Sequence, residues 1–206
     1  RWDAQLLGME SLQCITDATR TMHEVSRTAA KMVLMGEDND ILFRHVVIQA
    51  LINNGEGYRP PIDKWERDHI EKKHRYALAI LSNCLSQTSD DTLRHICEND
   101  SWFLGDIVLD ILITELTRAP SKVHNAYWAA KCLAELLRAS HDLRCRARNG
   151  VGVREAVQLA QFVGLCGHEL LEKEASFVLE LLGGDDQVGR IHFYGDCVDD
   201  SPLGWW

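Results

Sequence analysis

Four segments of this chain repeat one another. Tyr76-Ala77-Leu78-Ala79-Ile80-Leu81-Ser82-Asn83-Cys84-Leu85 aligns with Trp128-Ala129-Ala130-Lys131-Cys132-Leu133-Ala134-Glu135-Leu136-Leu137. It aligns more loosely with Glu174-Ala175-Ser176-Phe177-Val178-Leu179-Glu180-Leu181-Leu182, and a weaker copy is Leu7-Gly8-Met9-Glu10-Ser11-Leu12-Gln13-Cys14-Ile15. In each, small residues precede a leucine by four positions. The central residues Leu12, Leu81, Leu133 and Leu179 are separated by 69, 52 and 46 residues. A unit too short to bury its own apolar side has to stack against its copies, so self-similarity restricts the chain to an array. The last interval lies near the ~40–47 residues of multi-helix repeats, the second is slightly longer, and the first requires an insertion. Asn53 to Ile62, rich in turn residues, supplies one near 54–63.

The repeating unit is helical. Only four prolines occur, three of them (Pro60, Pro61, Pro120) in connections, and strand-type alternation is nearly absent. The pattern predicts helices over about 3–17, 21–35, 41–53, 64–87, 91–98, 103–118, 123–139, 142–148, 152–165 and 168–182. Phe103, Leu104, Ile107, Val108, Ile111, Leu112 and Leu116 recur at three- and four-residue steps, which places them on one face that must be buried. Thr21 with Glu24, and Asp63 with Glu66, fit the capping box that satisfies the first free N–H groups of a helix. Gly183-Gly184-Asp185-Asp186 reads as a helix stop.

Charge and composition exclude several functions. Formal net charge is −9, from 22 basic against 31 acidic residues, which disfavours nucleic acid and anionic membrane and leaves a neutral or basic partner. No apolar run approaches the ~20 residues of a membrane span. Seven cysteines without a Cys-x-x-Cys pair, most among Leu, Ile and Ala, fit reduced thiols of an intracellular protein, the cytoplasm ranking ahead of the nucleus. The nine histidines form no His-Glu-x-x-His, and His69 and His74 lie five apart, the wrong spacing for one metal on one helix face. His192 near Asp196, Cys197, Asp199 and Asp200 has metal-capable groups, but an acidic tail binds cations loosely far more often than it forms a hydrolytic site. No phosphate loop or Gly-x-Ser-x-Gly is present. The expectation is therefore a non-enzyme with no cofactor and no metal. A start at Arg1 and an end at Trp205-Trp206 are those expected of a piece of a longer protein.

Residues 126–182 resemble the armadillo repeat family. The order is a long third helix (Ala126 to Ala139), a short first helix (Asp142 to Arg148), Gly150 at a sharp bend, a second helix (Val153 to Val163) and another third helix (Glu169 to Leu182). Ser82-Asn83-Cys84-Leu85 is similar to the third-helix pattern whose asparagine projects into a concave groove. Two departures stand out: Ala79 occupies the place of the tryptophan found four residues before that asparagine in importin-type arrays, and Glu135 stands where the next asparagine would be. A nuclear-import role is not implied. A HEAT-like array is the alternative subtype.

The resemblance implies an all-α, right-handed α-solenoid spanning 1–184 with about four irregular repeats, followed by an acidic loop, linker or further unit over 185–206. Ala77, Leu81, Leu85, Ala129, Leu133, Leu137, Ala175 and Leu179 would point into the core. Tyr76, Asn83, Gln87, Trp128, Lys131, Glu135 and Arg138 would line a groove that binds a protein or peptide. The implied task is that of a non-catalytic scaffold or adaptor. The alternative is a structural or regulatory arm of a larger enzyme or complex. Oligomeric state does not follow from the sequence.

Overall fold

A computed structural model of the chain describes residues 2–35, 47, 49–52, 63–99 and 106–183, and among them every regular element is a helix. The helices are α1 (Trp2–Thr16), α2 (His23–Met35), α3 (Gln49–Ile52), α4 (Lys64–Ser86), α5 (Asp90–Asn99), α6 (Asp106–Thr117), α7 (Val123–Ala139), α8 (His141–Asn149), α9 (Val153–Leu165) and α10 (Glu169–Leu181). The predicted acidic segment 185–206, the insertion over 54–62, and the ends of two predicted helices at 41–46 and 103–105 lie outside the described residues.

The four self-similar segments fall on α1, α4, α7 and α10, and these helices pack in that order, α1 on α4, α4 on α7, and α7 on α10. A second row lies beside the first, with α6 and α9 packed on each other and covering α7 and α10 respectively. Short α5 and α8 close against α7, while α2 and α3 close against α4. Sequence similarity therefore maps onto spatial adjacency.

The apolar pattern explains the packing. From Ala77 to Leu85 every residue of α4 is buried, because α1, α2, α3 and α7 all contact this helix. Small Ala77 and Ala79 admit close neighbours while Leu78, Ile80, Leu81 and Leu85 fill the gaps, each worth about 1.5–3 kcal/mol of transfer free energy when fully buried. On α7, Ala126, Ala129, Ala130, Leu133 and Leu137 do the same. The Cys132 thiol sits in the α4–α7 seam and donates to the Leu78 carbonyl at 3.8 Å; burial pushes its pKa upward, and that of Cys84 up to about 12. Of the expected core residues Leu179 and Ile111 are incompletely buried, and both still pack on the cluster.

Helix ends follow local chemistry. Asp63 caps α4 by accepting from Glu66 N–H at 2.7 Å, as the sequence predicts. Ser89 and Ser140 cap α5 and α8, accepting from Thr92 and Leu143 N–H at 3.3 Å each. The expected Thr21–Glu24 capping box is not formed. Helix α2 begins at His23, and the Thr21 hydroxyl instead donates to the Cys14 carbonyl at 2.8 Å, tying the connection back to the end of α1. Gly150 also corrects the sequence reading. Its backbone is extended, and what demands glycine is space, since a Cβ there would sit 2.7 Å from Val153 Cγ2. The left-handed turn falls two residues later, at Gly152 with φ of 81°. Gly183, with φ of 77°, ends α10 as a left-handed residue just past the helix.

One polar cluster is enclosed in the core. Glu115 on α6, His74 on α4 and Asn125 on α7 are all nearly inaccessible to solvent. The Glu115 carboxylate receives the Asn125 amide at 3.0 Å and Arg118 Nη1 at 2.9 Å, and His74 Nε2 approaches to 3.2 Å. Burial alone would push the Glu115 pKa up, but His74, Asn125 and Arg118 together more than offset it and hold the group at about 2. The cluster thus joins three helices around one fixed carboxylate.

Candidate partner-binding face

The repeat alignment sets a grid of equivalent positions on the three consecutive helices α4, α7 and α10. Tyr76, Trp128 and Glu174 form one rank, Ala79, Lys131 and Phe177 the next, and Asn83, Glu135 and Leu181 the third. On α7 the residues His124, Trp128, Lys131, Glu135 and Arg138 recur at steps of four, three, four and three, so they share one stripe. Four of the seven predicted groove residues, Trp128, Lys131, Glu135 and Arg138, are in this stripe.

Trp128 and Tyr127 are half-buried and packed on the core, with ring centroids 4.9 Å apart. Lys131, itself half-buried, places Nζ 5.5 Å from the Trp128 ring centroid in a cation–π contact. Tyr76 is half-buried beneath the Arg75 guanidinium, 5.8 Å from its centroid. On α10, Leu170 and Phe177 are 50% and 40% exposed. Along α10, Leu170, Glu174, Phe177 and Leu181 recur at the same four- and three-residue steps as the α7 stripe. The face therefore combines rigid aromatic area with mixed charge. His124 at the start of α7 has its pKa lowered by partial burial first, then by Arg75 and His168. Tyr127 is raised by burial and by Glu174.

The other predicted groove residues do a different job. Asn83 is buried, and its amide donates to the Gln13 carbonyl at 3.5 Å and to Thr16 Oγ1 at 3.4 Å. Gln87 donates to the Thr16 carbonyl and to its own helix at Asn83, and accepts from the Ser26 hydroxyl at 2.7 Å. These two side chains stitch α4 to the end of α1 and to α2, so neither amide is presented to a partner backbone. Glu135 and Arg138 make a different link. Arg138 Nη2 bridges Glu135 at 2.8 Å and Asp90, at the start of α5, at 2.9 Å. Glu135 is only 18% exposed, and desolvation raises its pKa against the opposing pull of Arg138 and Lys131. Glu135, aligned with Asn83, is thus held through Arg138 to the start of α5, whereas Asn83 reaches α1.

Sequence reasoning missed Leu170, Tyr127 and Phe177. The signal was present for Phe177, which aligns with Lys131, and for Leu170, which aligns with His124. An apolar residue at these positions reads as core until the neighbouring helix is known. The buried Glu115 cluster had no signal, because Glu115, His74 and Asn125 are far apart in sequence and each is ordinary alone.

Among the described residues no group of three or more His, Cys, Asp or Glu side chains is arranged to hold a metal ion, and no helix is long and apolar enough to cross a membrane. The His192 region lies outside the described residues. No protein-family model, no curated protein and no solved structure matches the chain.

Proposed function

We propose that the chain is an armadillo-like unit of a right-handed α-solenoid, with a HEAT-like array as the alternative subtype, and that it binds a protein or peptide across the α4–α7–α10 face without catalysis. The supporting observation is that the self-similar helices α1, α4, α7 and α10 are consecutive neighbours, as stacked copies of one unit would be. The helices also run as short α5, then α6, then long α7, and as short α8, then α9 and α10 of 13 residues each, an order that fits an armadillo-like repeat.

The binding residues of this reading are Trp128, Lys131, Tyr76 and Arg138, joined by Tyr127, Phe177 and Leu170. Asn83 and Gln87 tie α4 to α1 and α2, and Glu135 pairs with Arg138 on its own helix. Half-buried aromatics on a rigid helix offer large contact area at small entropy cost, which is how interface anchors act. The partner is a protein segment, neutral or basic in net charge, matched to a chain whose own formal charge is −9.

The test replaces Trp128, Lys131 and Phe177 together with alanine, with helicity checked by circular dichroism. Losing a single anchoring aromatic of this kind costs about 2 kcal/mol or more, roughly a thirtyfold loss of affinity. Partners recovered by affinity capture and mass spectrometry should vanish from the variant. Recovery of the same set at the same yield would sink the face assignment.

A further inference from the structure

The repeat alignment shows which side of each row helix meets the helix before it. On α4 that side is marked by Lys73, whose Nζ donates to Gln5 Oε1 of α1 at 2.8 Å, and by Asn83, whose amide reaches Gln13 and Thr16. On α7 it is marked by Cys132, which aligns with Ile80 and donates to the Leu78 carbonyl of α4. Carried back to α1 by the 69-residue interval, Lys73, Ile80 and Asn83 become Ala4, Ser11 and Cys14. The positions between them at helical steps are Leu7 and Gly8, with Ile15 next to Cys14. This side of α1 is open. Leu7 and Ile15 are 64% and 45% exposed, Ala4, Gly8 and Ser11 are exposed, and a Cβ placed on Gly8 would meet nothing within 4 Å. The opposite side, with Met9 and Thr16, is buried. Helix α2 packs beside α1 and adds exposed Val25 and Met32, with exposed Met22 just before it.

The exposed side of α1 is therefore the one by which α4 and α7 each receive a neighbour. It carries no charge, and its one hydroxyl, Ser11 Oγ, already donates to the Leu7 carbonyl at 2.8 Å, so covering it strands no polar group. The far end of the row differs. Val123 and Ala134, which pack into the core on α7, correspond on α10 to exposed Glu169 and Glu180. A polar outer face is that of a capping unit, so α10 of one copy does not supply the apolar surface that α1 lacks. We propose that α1 is a homodimer interface, in which a second copy lays its own α1 antiparallel across this side about a two-fold axis at Ser11. The pattern is symmetric about that residue: Leu7 and Ile15 lie four positions to either side, and Gly8 and Cys14 three. Leu7 of each copy then meets Ile15 of the other, as an isologous interface requires. Small Gly8 and Ser11 at the crossing let the two backbones approach closely. The α4–α7–α10 face is not involved.

The experiment measures molar mass by sedimentation equilibrium on the full, reduced chain from about 1 to about 300 µM, a range suited to the modest affinity of a small interface. The mass should climb from 23.4 kDa towards twice that value. Leu7→Glu and Ile15→Glu should each weaken association at least about tenfold, since either places an unpaired carboxylate in the contact. Both sites are exposed within one copy, and an unchanged circular dichroism spectrum would verify that the fold persists. Under mild oxidation Ser11→Cys should give a disulfide-linked dimer above the background of the parent chain, because position 11 meets itself at the axis. Thr114→Cys, at an exposed site on α6, should not. A mass fixed at 23.4 kDa, which would leave the face to another occupant such as a further helical unit, would overturn the proposal. So would a mass that grows past the dimer, association indifferent to Leu7→Glu, or Ser11→Cys linking no faster than Thr114→Cys.

Discussion

Replacing Glu115 with glutamine removes one charge from the middle of the molecule and changes little else in shape. The carboxyl is held at about 2 in the folded protein against an ordinary value of 4.5. Each tenfold change in proton affinity corresponds to about 1.36 kcal/mol, so the ionised form contributes on the order of 3 kcal/mol to stability at neutral pH. Because the folded value is depressed, that contribution is complete above about pH 5 and is lost as pH falls towards 2. Urea denaturation followed by tryptophan fluorescence should find Glu115→Gln less stable than the parent by about 3 kcal/mol at pH 7, with the gap closing steadily between pH 5 and pH 3. Other carboxylates titrate alike in both proteins and cancel in the difference. A gap that stays constant across this range would refute the claim that the buried carboxylate is stabilised in its charged form by His74, Asn125 and Arg118.

Two further substitutions probe how the helices are joined. A Cβ added at Gly164 would lie 2.4 Å from the Glu172 backbone nitrogen, so Gly164→Ala must push α9 and α10 apart. The expected cost is at least the ~1–3 kcal/mol typical of overpacking, read as a lowered midpoint in thermal unfolding, and an unchanged midpoint would mean the helices are not this close. Ser140→Ala removes the side chain that accepts the Leu143 N–H. A loss of about 1 kcal/mol in chemical denaturation is expected, and no loss would show that α8 does not depend on its cap.

The helices were legible in the sequence because apolar spacing and turn residues are local signals. Asp63 was readable as a cap since its partner is three residues away, whereas Thr21 was not, since its hydroxyl chooses the Cys14 carbonyl on the preceding helix. The segments matched around Leu12, Leu81, Leu133 and Leu179 lie on α1, α4, α7 and α10, which pack in that order. The candidate face was legible only in part. Asn83 looked available because helix geometry puts it half a turn from Leu81, but the end of α1 lies against that side and takes its amide. No local rule locates a helix some seventy residues away. Lys131 and Trp128, expected in the groove, are half-buried and in contact with each other, while Phe177 was hidden by its apolar character.

The placement of α7 between α4 and α10 has a consequence for how a partner would be received. Within the described row, α4 and α7 are each clasped on both flanks, while α1 and α10 have a row neighbour on one flank. In a nearest-neighbour array the free energy of local opening is set by how many interfaces must be broken, so α7 is among the last helices to fluctuate. Trp128 and Lys131 therefore stand on ground that is already stiff. A ligand meeting them would spend little of its binding free energy on ordering the receptor, and differences in affinity among ligands would report their own shape and flexibility rather than the receptor's accommodation.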